Sequence, residues 1–114
     1  MSQTFSLFLS ILIEAAVAFA VMWISGWGSG MRAMLAATIG TLVTHPIVWQ
    51  TVPALEPAIG YGVAVVLVEG ATVLAESIGY RLIVPLPWGR ALAVSLVANV
   101  ASAGAGLAYY ALAG

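Results

Sequence analysis

The sequence has no cysteine, one histidine and very little charge: 6% of its 114 residues are charged, three arginines against four glutamates. The lack of cysteine excludes disulfides, thiolate metal sites and thiol redox chemistry. A net charge of −1 leaves no basic patch for nucleic acid and no polybasic segment for anionic lipid headgroups. One histidine leaves any metal site without a second imidazole. No nucleophile sits beside a base and no phosphate loop is present, so enzymatic activity is not expected. What the chain does have is apolar surface. Its hydrophobic content is 63% and its mean hydropathy +1.13, whereas a soluble domain carries about 25% charged residues. An integral membrane protein is expected, with the lipid bilayer as its first partner. A hydrocarbon core about 30 Å thick takes about 20 apolar residues per helix, so the length accommodates four crossings and little else.

The N-terminus MSQTFSLFLSILIEAAVAFA has no positive n-region, and its apolar run outlasts a signal-peptide core and contains a glutamate. A retained first membrane helix is expected there. No lipidation motif is present, since there is no cysteine and residue 2 is serine. Four apolar segments follow one another at about 4–24, 31–51, 58–80 and 90–113. The breaks between them are SGWGSG (25–30), TVPALEP (51–57) and RLIVPLPWG (81–89). Trp23, Trp27, Trp49, Tyr61, Tyr80 and Trp88 lie near the segment ends, as an interfacial aromatic belt requires. Arg32 flanks the first loop, and Arg81 and Arg90 flank the third. The positive-inside rule therefore makes those loops cytoplasmic and puts both termini outside. The expected fold is all-α: one polytopic domain over residues 1–114, a bundle of four transmembrane helices.

An internal repeat is suggested by RAMLAATIGTLVT (32–44) set over RALAVSLVANVAS (90–102), which aligns Arg32 with Arg90, Thr41 with Asn99 and Thr44 with Ser102. The preceding helices place IEAAV (13–17) near VEGAT (68–72) and pair Glu14 with Glu69. Each unit is then a helical hairpin, repeated in the same orientation.

At about 1.5 Å rise per residue, Glu14, Thr41, Glu69 and Asn99 fall near the bilayer centre. The faces agree: Ser6, Ser10 and Glu14 form one stripe, as do Thr38, Thr41 and His45, then Gly62, Glu69 and Glu76, and finally Ser95, Asn99, Ser102 and Gly106. A charged group on a lipid face near the midplane costs at least about 2.5–3.5 kcal/mol on insertion scales, so these stripes are expected to turn inward. Two nearby carboxylates resist ionising together, and the Glu14/Glu69 pair is expected to hold at least one proton at neutral pH. Such a pair, with Thr41 and Asn99, can load a proton or a cation; the competing structural role is interhelical hydrogen bonding. Glu76 reads as an interfacial ion pair with Arg81, within reach of Arg90, and Glu56 as solvent-facing.

His45 lies about 7 Å outside this layer on the Thr38/Thr41 stripe. Pro46 removes a backbone donor and crowds the carbonyl of Leu42, so a kink is expected beside the imidazole. Three roles are open to His45: a buried hydrogen-bonding partner, a gate or relay toward the glutamates, or a ligand for a metal, haem or pigment. No cofactor is expected.

The glutamate of ILIEAAVAF, Glu14 in the first of four helices, is similar to that of the small multidrug resistance transporters. That resemblance covers about a quarter of the chain and implies a proton and cation site at Glu14; a second mid-membrane glutamate and the THP of helix two depart from that family. The whole chain resembles a group of uncharacterised bacterial four-helix membrane proteins. They carry a helix-one glutamate, Asn-x-x-Thr-His-Pro-x-x-Trp in helix two, a glutamate-bearing helix three and Asn-x-x-Ser in helix four. Here these are Glu14, Thr41 through Thr44-His45-Pro46 to Trp49, Glu69 with Glu76, and Asn99 with Ser102, with Thr41 standing where the group has Asn. The resemblance implies a bacterial inner membrane and a polar core that includes THPxxW.

Two functions are expected from these features. One is proton- or small-cation-coupled transport or conduction through the carboxylate layer, with His45 and Pro46 as gate. The other is a non-catalytic accessory or assembly subunit of a larger membrane complex. The small-residue run ANVASAGAGLA (98–108) offers a close-packing surface for a homo-oligomer or such a complex.

Overall fold

The computed structural model describes residues 2–113. Four helices account for nearly all of them: α1 (Gln3–Ser25), α2 (Gly30–Ile59), α3 (Tyr61–Ile83) and α4 (Trp88–Ala113). Each is long and apolar enough to cross a membrane. Local chemistry sets the ends. Ser2 caps α1 by accepting from the Phe5 N–H at 3.1 Å, and Ser29 caps α2 through Arg32 N–H at 3.2 Å. Gly26 closes α1 in the left-handed conformation, at φ 69°, with its N–H on Met22 O, a geometry that glycine adopts without a Cβ penalty.

α2 departs from the sequence expectation. TVPALEP is helical rather than a loop, and α2 runs through Pro46, Pro53 and Pro57 to Ile59, leaving Gly60 alone between α2 and α3. Proline's fixed φ is compatible with a helix, and each proline removes only one backbone bond. From Gly30, about 20 residues cross the hydrocarbon, so the turns with Pro53, Glu56 and Pro57 stand beyond it, where water can satisfy freed carbonyls. Glu56 is exposed, as expected. α3 also runs three residues further than expected, to Ile83, which carries Glu76 two turns inside its helix end.

The helices form a ring in which α1 and α3 each pack against α2 and α4. One displacement of 58 positions relates the two hairpins: 3 to 61 and 25 to 83 for α1 and α3, and 30 to 88 for the starts of α2 and α4. Burial follows the same register, with Ala33 and Ala91 both at 0% exposure and Met22 and Tyr80 both enclosed. This register aligns Thr41 with Asn99 as expected. It sets Glu14 against Thr72, correcting the pairing of Glu14 with Glu69.

The end carrying the arginines is close-packed. Ala15, Ala18, Ala33, Ala36, Ala37 and Ala91 let the helices approach, and Met22, Tyr80, Leu86 and Val94 fill the remaining space. Large apolar side chains such as Phe8, Leu12, Val66, Leu74 and Val100 face outward, the arrangement a lipid solvent favours. Because Ala33 and Ala91 occupy equivalent sealed positions, Ala33→Leu and Ala91→Leu are each expected to destabilise the bundle by about 1–3 kcal/mol. Leu112→Ala, at a position 90% exposed, should leave the thermal midpoint in detergent nearly unchanged. Equal midpoints for all three variants would contradict the sealed end.

Candidate functional site

The half of the bundle away from the arginines is open inside. A cavity of about 390 Å³ runs into it and ends on Glu14, Thr41, Thr44, Glu76, Asn99 and Ser102. Ser10, Glu69 and Thr72 line its middle, and Tyr61, Tyr110 and Pro53 its outer part. Its size is that of a small-molecule site. The sealed alanine-rich end begins where the cavity stops.

Glu14 lies 11 residues from either end of α1, and Thr41 and Asn99 lie 11 residues into α2 and α4, so the floor is about 16 Å from the arginine end. Glu76 joins it from α3. Its Oε1 accepts from Asn99 Nδ2 at 2.9 Å and its Oε2 from Thr44 Oγ1 at 2.6 Å. Asn99 uses its other amide hydrogen on Ser95 O at 2.8 Å, and Ser95 in turn donates to Val73 O at 2.8 Å, tying α4 to α3. Gly40 makes room for this cluster: a Cβ there would stand 3.1 Å from Glu76 Cγ. Glu14 lines the same floor as Glu76, together with Thr41 and Ser102.

Thr44 has one hydroxyl hydrogen and two acceptors, Glu76 Oε2 and Gly40 O, the latter at 2.9 Å. Two arrangements satisfy this geometry. With Glu76 ionised, Thr44 donates to it. With a hydrogen on Glu76 Oε2, Glu76 donates to Thr44, and Thr44 turns to the backbone of its own helix.

The expected ion pair between Glu76 and Arg81 does not form, and no ion pair forms among the described residues. Glu76 is 4% exposed and engaged by Thr44 and Asn99. The Arg81 guanidinium instead lies 4.5 Å from the centre of the Trp88 ring and donates to Leu86 O at 3.5 Å, while Arg90 lies over Trp27 at 5.3 Å. The extra turn of α3 is the reason: it moves Glu76 inward and Arg81 into the last turn. Glu69, expected in the central pair, sits about 10 Å toward the mouth from Glu76, given the seven-residue separation, and is partly exposed on the cavity wall. Thr38 is turned to its own helix, donating to Met34 O, and does not line the cavity.

His45 is half-buried on the wall, its Nε2 3.1 Å from Ser6 Oγ of α1 and its ring 6.0 Å from that of Trp49. It therefore bridges α1 and α2 above the carboxylates, beside Pro46, which the helix passes without a break. Among the described residues no three His, Cys, Asp or Glu side chains gather as a metal cage. Sequence reasoning missed Thr72 and Tyr80, and placed Thr44 in the polar core without making it a partner of Glu76. Their signal was helical spacing: Thr72, Glu76 and Tyr80 follow at intervals of four, and Thr44 falls one turn from Gly40.

The fold and site together define a four-helix bundle of membrane-spanning character with a one-ended polar cavity. No family model, curated protein or solved structure matches the chain.

Replacing Asn99 by Leu strips Glu76 Oε1 of its donor while keeping the branched side-chain shape. A loss of about 1–3 kcal/mol is expected from the unpartnered acceptor, read as a lower unfolding midpoint. Glu69→Gln, at the wetter wall position, should cost less than about 1 kcal/mol; a Glu69 variant as unstable as Asn99→Leu would place the critical carboxyl at the wrong level.

Proposed function

We propose that the protein is a proton- or small-cation-coupled membrane carrier whose loading site is the Glu14/Glu76 pair. The observation that carries this reading is the cavity: it connects one face of the bundle to two carboxyls in mid-span and stops there against a sealed end. A blind cavity favours a carrier, open to one side at a time, over a continuous pore. Intramembrane carboxyls without basic partners are costly unless they exchange charge with a ligand, and this chain places two of them together.

Glu69 and the Ser6–His45 bridge stand on the approach, so an incoming ion meets them before the floor. Loading at Glu76 frees Thr44 to bond Gly40 O, which changes the hydrogen bonding of α2 just before Pro46. Two hairpins related by one register supply the moving parts, since rocking of one repeat against the other is how repeated transporter folds expose a central site alternately. With the arginine-flanked loops on the cytoplasmic side, the cavity faces outward in this state and both termini lie outside. A bacterial inner membrane and a homo-oligomeric state belong to this proposal. Gly104, exposed on the second half of α4, allows close approach of another copy.

Reconstitution into liposomes with an internal pH reporter tests the coupling. Under an imposed gradient the wild type is expected to pass protons or exchange a cation for them. Glu76→Gln and Glu14→Gln should each lower the rate about tenfold or more. Glu69→Gln should lower it less. Absence of flux from well-folded wild type, or full flux from Glu76→Gln, would remove the carrier reading.

A further inference from the structure

Three buried oxygens around the carboxylate pair have no hydrogen-bond partner: Glu14 Oε1, Thr41 Oγ1 and the Tyr80 hydroxyl. Their side chains are 97%, 99% and fully enclosed. An unpartnered buried polar group is costly, and three of them close to one pair of carboxyls point to an occupant. Glu14 and Thr41 face the cavity floor. Tyr80 lies one turn below Glu76 on α3, and a helical side chain leans toward the N-terminus of its helix, which brings its hydroxyl up toward the pair.

The charge of the layer selects among occupants. Both oxygens of Glu76 are engaged by neutral partners, Thr44 and Asn99. No basic side chain compensates it, because Arg81 and Arg90 are engaged with Trp88 and Trp27 at the far end and Arg32 is exposed at the start of α2. The available donors are carboxyl and hydroxyl oxygens, which suit a hard cation. A calcium ion takes roughly six to eight oxygen ligands, more than this floor leaves free, and softer metals call for imidazole or thiolate.

We infer that the floor of the cavity is a binding site for one sodium ion, built from Glu14, Thr41 and Tyr80 beside the Glu76 carboxylate. This deepens the carrier reading by naming its coupling ion, and it rests on the same cavity for access. The ion neutralises the layer without a second proton and satisfies oxygens that the protein leaves free. The solute-sized space above remains open, so ion and solute can be held together.

The test is thermal unfolding of the purified protein in detergent, in sodium, potassium or choline chloride at equal ionic strength. Sodium should raise the midpoint by about 5 °C over both other salts. Thr41→Val and Tyr80→Phe should each lose most of that rise. In the absence of sodium both should be at least as stable as wild type, since each removes an unpartnered hydroxyl. Identical midpoints in the three salts would mean that the layer holds water only and would overturn the proposal. So would a sodium effect undiminished in both variants, which would put the ion elsewhere. Tyr80→Phe serves alone if Thr41→Val does not fold. A sodium-specific shift in a protein that shows no flux would retain the site and dismiss the carrier; flux without the shift would do the reverse.

Discussion

The constraint on which the structure turns is a pair of carboxyls, Glu14 and Glu76, enclosed in the middle of an apolar bundle with no basic side chain beside them. The three arginines belong to the loop end, where two of them lie over Trp27 and Trp88. The acids therefore depend on neutral donors, and these must come from neighbouring helices because one helix cannot surround its own side chain. Thr44 comes from α2 and Asn99 from α4, both to Glu76 of α3, while α1 contributes Glu14 itself. Each such contact sets the axial register of a helix relative to α3. In a membrane, where apolar packing is no more favourable between helices than against lipid, such contacts do much to choose one arrangement among many.

The two ends of the bundle divide the labour. At the arginine end, six alanines allow close helix approach and exclude water. The carboxyls sit at the edge of this dry region rather than within it, with the open half of the bundle before them. The 58-residue register supplies the scaffold twice, but the acids break its symmetry. Glu14 corresponds to Thr72, and Glu76 to Ala18, which is fully buried in the sealed end. Two similar hairpins thus yield one off-axis polar site instead of two equivalent ones.

Much of this was legible in the sequence. Four apolar segments, the inward polar stripes and the central level of Glu14, Thr41 and Asn99 follow from composition and helical spacing alone. The partner of Glu14 was not, because depth depends on where a helix ends. Reading RLI (81–83) as loop put Glu76 at the interface and left Glu69 as the central acid; as helix, it moves Glu76 inward. The α2 prolines misled for a related reason. Proline punctuates a helix in water, yet Pro53 and Pro57 lie where α2 has already left the hydrocarbon, and each removes only one bond. His45, which stands out as the only histidine, turned out to bridge to Ser6, a contact between helices that periodicity cannot reveal.

What ties the carboxyl layer to the fold is the single hydrogen of Thr44. Most of the contacts around Glu76 can relax independently, but this hydroxyl serves either the carboxylate of α3 or the backbone of α2. Within α2 the acceptor is Gly40 O, and two residues further on the carbonyl of Leu42 lacks its usual donor because Pro46 has no N–H. The segment 40–46 is thus the stretch of α2 within the hydrocarbon where a proline leaves backbone hydrogen bonding incomplete, and it is the stretch that touches the acid. The same segment carries His45 and its bridge to Ser6 of α1. A change of charge at Glu76 is consequently felt first in the helix that contacts both α1 and α3, and α2 is the element through which the state of the carboxyl reaches the rest of the bundle.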